Sequence, residues 1–237
     1  MAQGDDLTTE SLMAVLGGRP LQAHPVVLST AVAAAAWAES DAPDGAVVVA
    51  ANQIAPRGHA EKPWRPKAPG AGLGVSLVLR PELDPRREGW LYIVAAMALA
   101  DVCGEGSIIE WPDEVWRGGT LAGATGTQVR LKARGVDWAV VSLWLPDAQP
   151  PRGAVLAELL ERIEVRRRSD PAALLEEYAP MCATIGRRVT ARLLGGTGPR
   201  MRGTAVAADE AGALVLETDA GARAPLRPHD VRGVDDA

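Results

Sequence analysis

Three acids in five residues, Glu110, Asp113 and Glu114, follow the apolar pair Ile108-Ile109 and surround Trp111-Pro112. Converging carboxylates can hold a metal ion, but carboxylates this close in sequence need not converge, and a solvated acidic turn has the same spelling. The opposite charge is concentrated in residues 56–67, where Arg57, His59, Lys62, Arg65 and Lys67 stand against one acid, Glu61. Such a loop can bring cations to an anionic ligand, or it can simply be solvated. The three histidines, His24, His59 and His229, show no Ser-His-Asp order and no spacing for zinc. Cys103 and Cys182 stand far apart, form no CxxC pair, and are expected to be buried structural thiols. No phosphate-binding loop of the Walker type is present.

These groups need a scaffold, and its outline is readable. Thr8 or Thr9 caps a short helix that Gly17-Gly18 ends. Residues 21–28 are short and apolar. Ser29-Thr30 cap the helix former "AVAAAAWAES", which Pro43-Asp44-Gly45 breaks. Residues 46–52 read as a buried strand. Residues 53–72 have no periodicity and many Pro and Gly, so they form a long loop, expected to be mobile and to border the main cleft. Strands are expected at 73–81, 107–111, over "TLAGATGTQVRL" and at 137–145, with a buried helix at 89–103. Residues 154–168 form an amphipathic helix with Val155, Leu156, Leu159, Leu160 and Ile163 on its apolar face. Ser169-Asp170-Pro171 start another helix. After Cys182, short strands with Gly or Asp turns about every ten residues mark a small β-barrel or sandwich. The strands and helices do not strictly alternate, which favours α+β over a doubly wound sheet. The expected division is 1–181 and 182–237.

In this order the segments resemble the biotin protein ligase family, over about residues 24–234. "VVLSTAVAA" is similar to the family's Asp-Ser-Thr-Asn helix start. "AANQIAPRGHAEKPWRPKAPGAGLGVSLVLRP" is similar to its Gln, Gly-Arg-Gly-Arg loop, Trp and following strand. "IIEWPDEVWRGGTLAG" resembles its Lys-Trp-Pro-Asn-Asp and Lys-Leu-Ala-Gly pair, and the tail resembles its C-terminal SH3-like domain. The resemblance implies an α+β fold of the biotin ligase and class II aminoacyl-tRNA-synthetase type: a mixed sheet packed with helices, plus a small SH3-like barrel. It also implies an activity, the ATP- and Mg-dependent formation of biotinyl-5′-AMP and transfer of biotin to a lysine of a biotin carboxyl carrier domain. Ser29, Thr30, Gln53, Arg57, Gly58, His59, Trp64, Trp111 and Gly123 then match ligand-binding positions. Ser29 and Thr30 remain open as a plain helix cap, and Trp64 as a loop anchor. Gly70, Gly72 and Ser76 match the next strand.

Glu110 takes the place of the family lysine that reaches the reacting carboxylate and phosphate; with Arg57 it is the candidate catalytic residue. Pro56, His59 and Glu61 replace family Gly, Arg and Gly, Thr120 replaces a second lysine, and "VVSLWLPD" (140–147) replaces a Gly-rich strand end. An acid aimed at a site for two anions repels both. In a medium of effective dielectric about 20, a like charge at about 4 Å costs on the order of 4 kcal/mol. Glu110 is therefore expected to keep a pocket of the family's shape while disabling or strongly weakening adenylate formation. Relief is expected only from Arg57, Lys62 or Arg65. Glu110→Lys is expected to raise adenylation unless the 142–146 segment closes the nucleotide site. The alternative is a non-catalytic member that binds a ligand or a carrier.

Composition narrows the rest. The chain has 237 residues, 47% hydrophobic and 23% charged, enough for a sizeable core, with a net charge of −5. An acidic balance gives no general reason to bind nucleic acid or anionic lipid. The most apolar run, 90–104, is shorter than the roughly 20 residues of a membrane span. The acidic start "MAQGDDLTTE" is unlike a signal peptide, and cysteine usage fits a reducing compartment, so a cytoplasmic location is expected.

Overall fold

The computed structural model describes residues 6–66, 68, 71–195 and 201–237. Gly70 and Lys67 lie outside the described residues. Helix α1 is Thr9–Leu16, capped by Thr8 and ended by Gly17 in the left-handed region. Strand β1 (Leu21–Val27) leads to α2 (Thr30–Glu39), whose cap is Ser29. β2 (Val47–Gln53) and β3 (Leu73–Leu79) flank the long loop. Helix α3 (Trp90–Cys103) is followed by β4 (Ser107–Glu110), β5 (Glu114–Arg117), β6 (Thr120–Lys132) and β7 (Gly135–Leu145). Then come α4 (Arg152–Arg168) and α5 (Pro171–Met181). Five strands close the chain: β8 (Arg188–Leu193), β9 (Arg202–Ala208), β10 (Leu214–Glu217), β11 (Arg223–Leu226) and β12 (Val231–Asp236).

Strands β1 to β7 form one mixed sheet in the order β1-β2-β3-β7-β6-β5-β4, parallel only between β1 and β2. The last five form an antiparallel sheet, β11-β10-β9-β8-β12. The expected α+β architecture is the observed one. The sequence reading leaves β1 unassigned, as a short apolar stretch, and misses β5. β5 lies where a turn is expected, because Pro112 breaks the pattern and only four residues pair.

Period-two alternation assigns each face of the large sheet its neighbours. Val75, Leu77, Val141 and Leu143 face α3 and α4, and Val48, Val78 and Val140 face α2. Helix α3 is buried nearly all round, as a run apolar on every face requires. The inner residues of the second sheet, among them Val189, Leu214 and Val231, belong to the same contiguous core as the first. At one seam the backbones touch. A Cβ on Gly212 would stand 2.1 Å from Gly89, so the turn before β10 meets the start of α3 only as glycine against glycine.

Candidate functional site

The strand that ends at Glu110 is held by the segment that joins α5 to β8 and by the turn before β10. The Ala183 N–H donates to the Ile109 carbonyl at 2.9 Å, and the Trp111 N–H donates to Thr184 Oγ1 at 3.0 Å. Trp111 Nε1–H donates to the Gly212 carbonyl at 3.2 Å. Glu110 itself accepts from Thr184 Oγ1 at 3.1 Å and from Arg187 Nη1 at 2.7 and 2.8 Å. Arg187 also donates to Asp236. That bond first, and the Glu110 charge after it, push the guanidinium pKa further up. The expectation that Arg57, Lys62 or Arg65 would neutralise Glu110 is corrected: the neutralising group is Arg187. Lys62 pairs with Glu114 and Arg57 with Glu61. Arg187 gives no sequence signal, because it lies 77 residues from its partner and inside a strand-like stretch.

The three acids do not converge on a metal. Among the described residues no group of three His, Cys, Asp or Glu is placed to hold one. Asp113 is 6% exposed, its Oδ2 has no partner, and its backbone carbonyl accepts from Thr125 N–H. Burial first, and the Glu114 charge after it, push its carboxyl up to about 7. Near neutral pH it is divided between acid and carboxylate.

Within the loop, residues 56–64 form a hydrogen-bonded turn. Gly58 N–H donates to the Lys62 carbonyl and Trp64 N–H to the Pro56 carbonyl, around a turn at His59–Glu61. This turn lies on the sheet. A Cβ on Gly126 would stand 2.8 Å from the Gly58 carbonyl carbon, and one on Gly58 would stand 2.5 Å from Trp64 Nε1. Both positions must be glycine for the loop to dock. Trp64 is buried and stacks on Trp144 of β7, with ring centroids 6.2 Å apart and planes 14° from parallel. Trp144 thus fills sheet-face space beside Ala124.

Next to this stack the polar groups satisfy one another. Thr30 N–H and Oγ1–H both donate to Gln53 Oε1, at 2.8 and 3.1 Å. Ser76 Oγ donates to Thr30 Oγ1 at 2.9 Å and stands 2.8 Å from Ser142 Oγ. Ser29 caps α2.

All of the candidate residues except Thr30, Trp64 and Gly123 are divided among three cavities. The largest, about 640 Å³, is lined by Ser29, Arg57, Gly58 and His59. One of about 420 Å³ is lined by Glu110, Trp111, Asp113, Glu114 and Lys62. A third, of about 310 Å³, is lined by Gln53 and Trp144. The loop borders all three, through Arg57, Lys62 and Pro56. Gly123 lines none of them; it packs on the α3 side, near Leu99 and Cys103. Thr120 stands in the exposed β5–β6 turn, donating to the Arg117 carbonyl. Cys182 is buried, while Cys103 is only partly so; burial still pushes the Cys103 thiol up to about 11.

The residues missed by sequence reasoning are Tyr92, Thr127, His229 and Arg232, which complete the wall of the largest cavity. Their types are ordinary and they lie on four separate elements. Among the described residues no helix is long and apolar enough to cross a membrane.

Comparison with known proteins places this geometry. Residues 184–229 match the model of the biotin protein ligase C terminal domain. The chain is 31% identical to the biotin--[acetyl-CoA-carboxylase] ligase of Mycobacterium tuberculosis, over 73% of this chain and 74% of the relative. It is 28% identical to the bifunctional ligase/repressor BirA of Bacillus subtilis, over 86% of this chain and 71% of the relative. A biotin protein ligase from Aquifex aeolicus, solved with biotin and ATP, superposes with a TM-score of 0.71 at 18% identity, covering 92% of this chain and 99% of that one. A biotin protein ligase-like protein of unknown function from Silicibacter superposes with a TM-score of 0.67 at 15% identity, covering 89% and 95%.

Proposed function

The chain belongs to the biotin protein ligase family, and from that premise we propose that it is a non-adenylating member, which binds a small organic acid or its carrier without joining the acid to a nucleotide. The observation that carries this reading is the hold of Arg187 Nη1 on both carboxylate oxygens of Glu110, at the family's lysine position. A lysine there would be drawn to two anions. Here an acid stands instead, its charge already matched by a guanidinium engaged on both sides. The Trp64–Trp144 stack adds to it, occupying sheet-face space beside a strand end that the family builds from glycine. No triphosphate or magnesium step is derived, because the residues present do not fit those groups.

What remains suited to a ligand is the 640 Å³ cavity, within the usual size range of small-molecule sites. Leu28, Ala31, Val32 and Ala55 give it an apolar wall. Ser29, Arg57 and Gly58 are assigned as its ligand contacts, with Arg57 facing the acid group. The mycobacterial relative is named for an acetyl-CoA-carboxylase acceptor, and a biotin carboxyl carrier domain is the partner this reading assigns. Residues 182–237 form its SH3-like domain, and the setting is the cytoplasm.

The test is pyrophosphate release with biotin and ATP, run beside calorimetric titration with biotin in the absence and in the presence of ATP. The expected result is binding that ATP does not alter, with release no faster than the enzyme-free background. Biotin-dependent release that grows with protein concentration overturns the reading.

A further inference from the structure

Four elements send polar side chains to one wall of the largest cavity. His229 Nε2 lies 3.3 Å from the hydroxyl of Thr127 on β6. On the other side of the ring, Glu88 Oε1, just before α3, lies 3.2 Å from His229 Nδ1, within ion-pair range but not aligned for a hydrogen bond. The same strand position is fixed through its backbone, since Thr127 N–H donates to Tyr92 Oη at 3.3 Å. Tyr92 Oη in turn stands 2.9 Å from His59 Nδ1. His59 is 3% exposed and its Nε2 has no partner at hydrogen-bonding distance. Burial holds its imidazole down to about 4, so it stays neutral and serves Tyr92 as an acceptor. The negative charge of Glu88 beside Nδ1 favours the tautomer with its proton on that nitrogen, which leaves Nε2 to accept from Thr127.

A hydroxyl, an imidazole and a carboxylate in this order activate a nucleophile, whatever the fold that supplies them. The histidine and the hydroxyl line the cavity, as do Gln128 and Arg232, side-chain types that can donate to an oxyanion. Arg232 has no ion pair among the described residues. We propose that Thr127, His229 and Glu88 form an acyl-transfer site that hydrolyses esters or thioesters of small organic acids held in this cavity. It rests on the reading that the cavity takes an organic acid, and it is independent of the loss of adenylation.

The step balances with water as co-substrate. Thr127 Oγ1 forms a bond to the acyl carbon while its proton passes to His229 Nε2. The bond from that carbon to the alcohol or thiol oxygen or sulfur breaks, and the leaving group takes the proton from Nε2. Water then attacks the threonine ester, gives a proton to Nε2, and the acid departs as Oγ1 is reprotonated. Glu88 is a positioning residue that keeps the imidazole in the accepting tautomer.

The experiment uses the full chain, a fluorophosphonate probe with peptide mapping, and p-nitrophenyl acetate, butyrate and octanoate as substrates. Labelling of Thr127 is expected, retained in Thr127→Ser and lost in Thr127→Val. Hydrolysis should fall at least 100-fold in Thr127→Val and His229→Asn. It should fall roughly 10-fold in Glu88→Gln and partly recover in Glu88→Asp, which a merely structural role would not produce. Each variant is checked for folding by circular dichroism. Absence of label at Thr127 in folded wild type, or hydrolysis equal in wild type and His229→Asn, overturns the proposal. Biotin titration separates the two readings. Labelling of Thr127 that biotin does not slow removes the acid-binding premise and with it the acyl substrate; no labelling with biotin still bound removes the relay alone.

Discussion

Glu110→Lys reverses the charge at the joint between the two sheets. In the native protein the carboxylate has its Arg187 partner at 2.7 and 2.8 Å, with side chains 30% and 35% exposed. Charge centres about 4 Å apart attract by ~4 kcal/mol in an effective dielectric of about 20. Arg187 is more than a third exposed, so solvent screening reduces this to roughly 1–2 kcal/mol. Lysine loses that attraction, adds a repulsion of similar size, and drops the bond from Thr184. The expected loss is ~2–4 kcal/mol, a fall in Tm of roughly 5–15 °C for a chain of this length. Arg187→Glu on top of Glu110→Lys should recover at least half, because the pair is restored with its signs exchanged. Thermal denaturation of the two single variants and the double variant reads this directly. Pyrophosphate release with biotin and ATP should stay at background in all three, since the Trp64–Trp144 stack is untouched. A Glu110→Lys protein as stable as wild type that also gains adenylation refutes the reasoning.

Asp113→Asn removes a buried carboxyl whose folded pKa, about 7, lies above its ordinary 3.8. Folded protein therefore binds the proton more tightly than unfolded chain, and wild type loses stability between about pH 4 and 7. The variant should be the more stable at pH 8, by up to about 4 kcal/mol, with the difference shrinking toward pH 4 in urea titrations. Gly126→Ala puts a Cβ against the Gly58–His59 backbone. It should cost about 1–3 kcal/mol and raise amide hydrogen exchange at residues 57–62, while leaving β12 unaffected. Trp144→Ala removes the partner of Trp64 and should cost about 3–5 kcal/mol in chemical denaturation.

The sequence by itself determined the elements of this protein and the family to which they belong. Local physics is enough for that. A Ser or Thr cap before an apolar run, a glycine after it, and alternation of buried and exposed positions act over a few residues, and α1, α2, α4 and the short strands after Cys182 follow from them. The four motif strings in order carry the family for the same reason, since each is contiguous. The loop at 53–72 is where local reading ends. Its Pro and Gly content removes periodicity, and docking on Gly126 and stacking on Trp144 place its residues 58–64. Tertiary structure alone decided the environment of Glu110. Its residue type announces a reversed charge, but whether that charge points at a ligand or is matched depends on Arg187, delivered from another sheet. The same holds for Thr127, His229 and Glu88. No spacing links them, and the closure of β6, α3 and the second sheet around one cavity brings Thr127 within hydrogen-bonding range of His229 and Glu88 within ion-pair range of it.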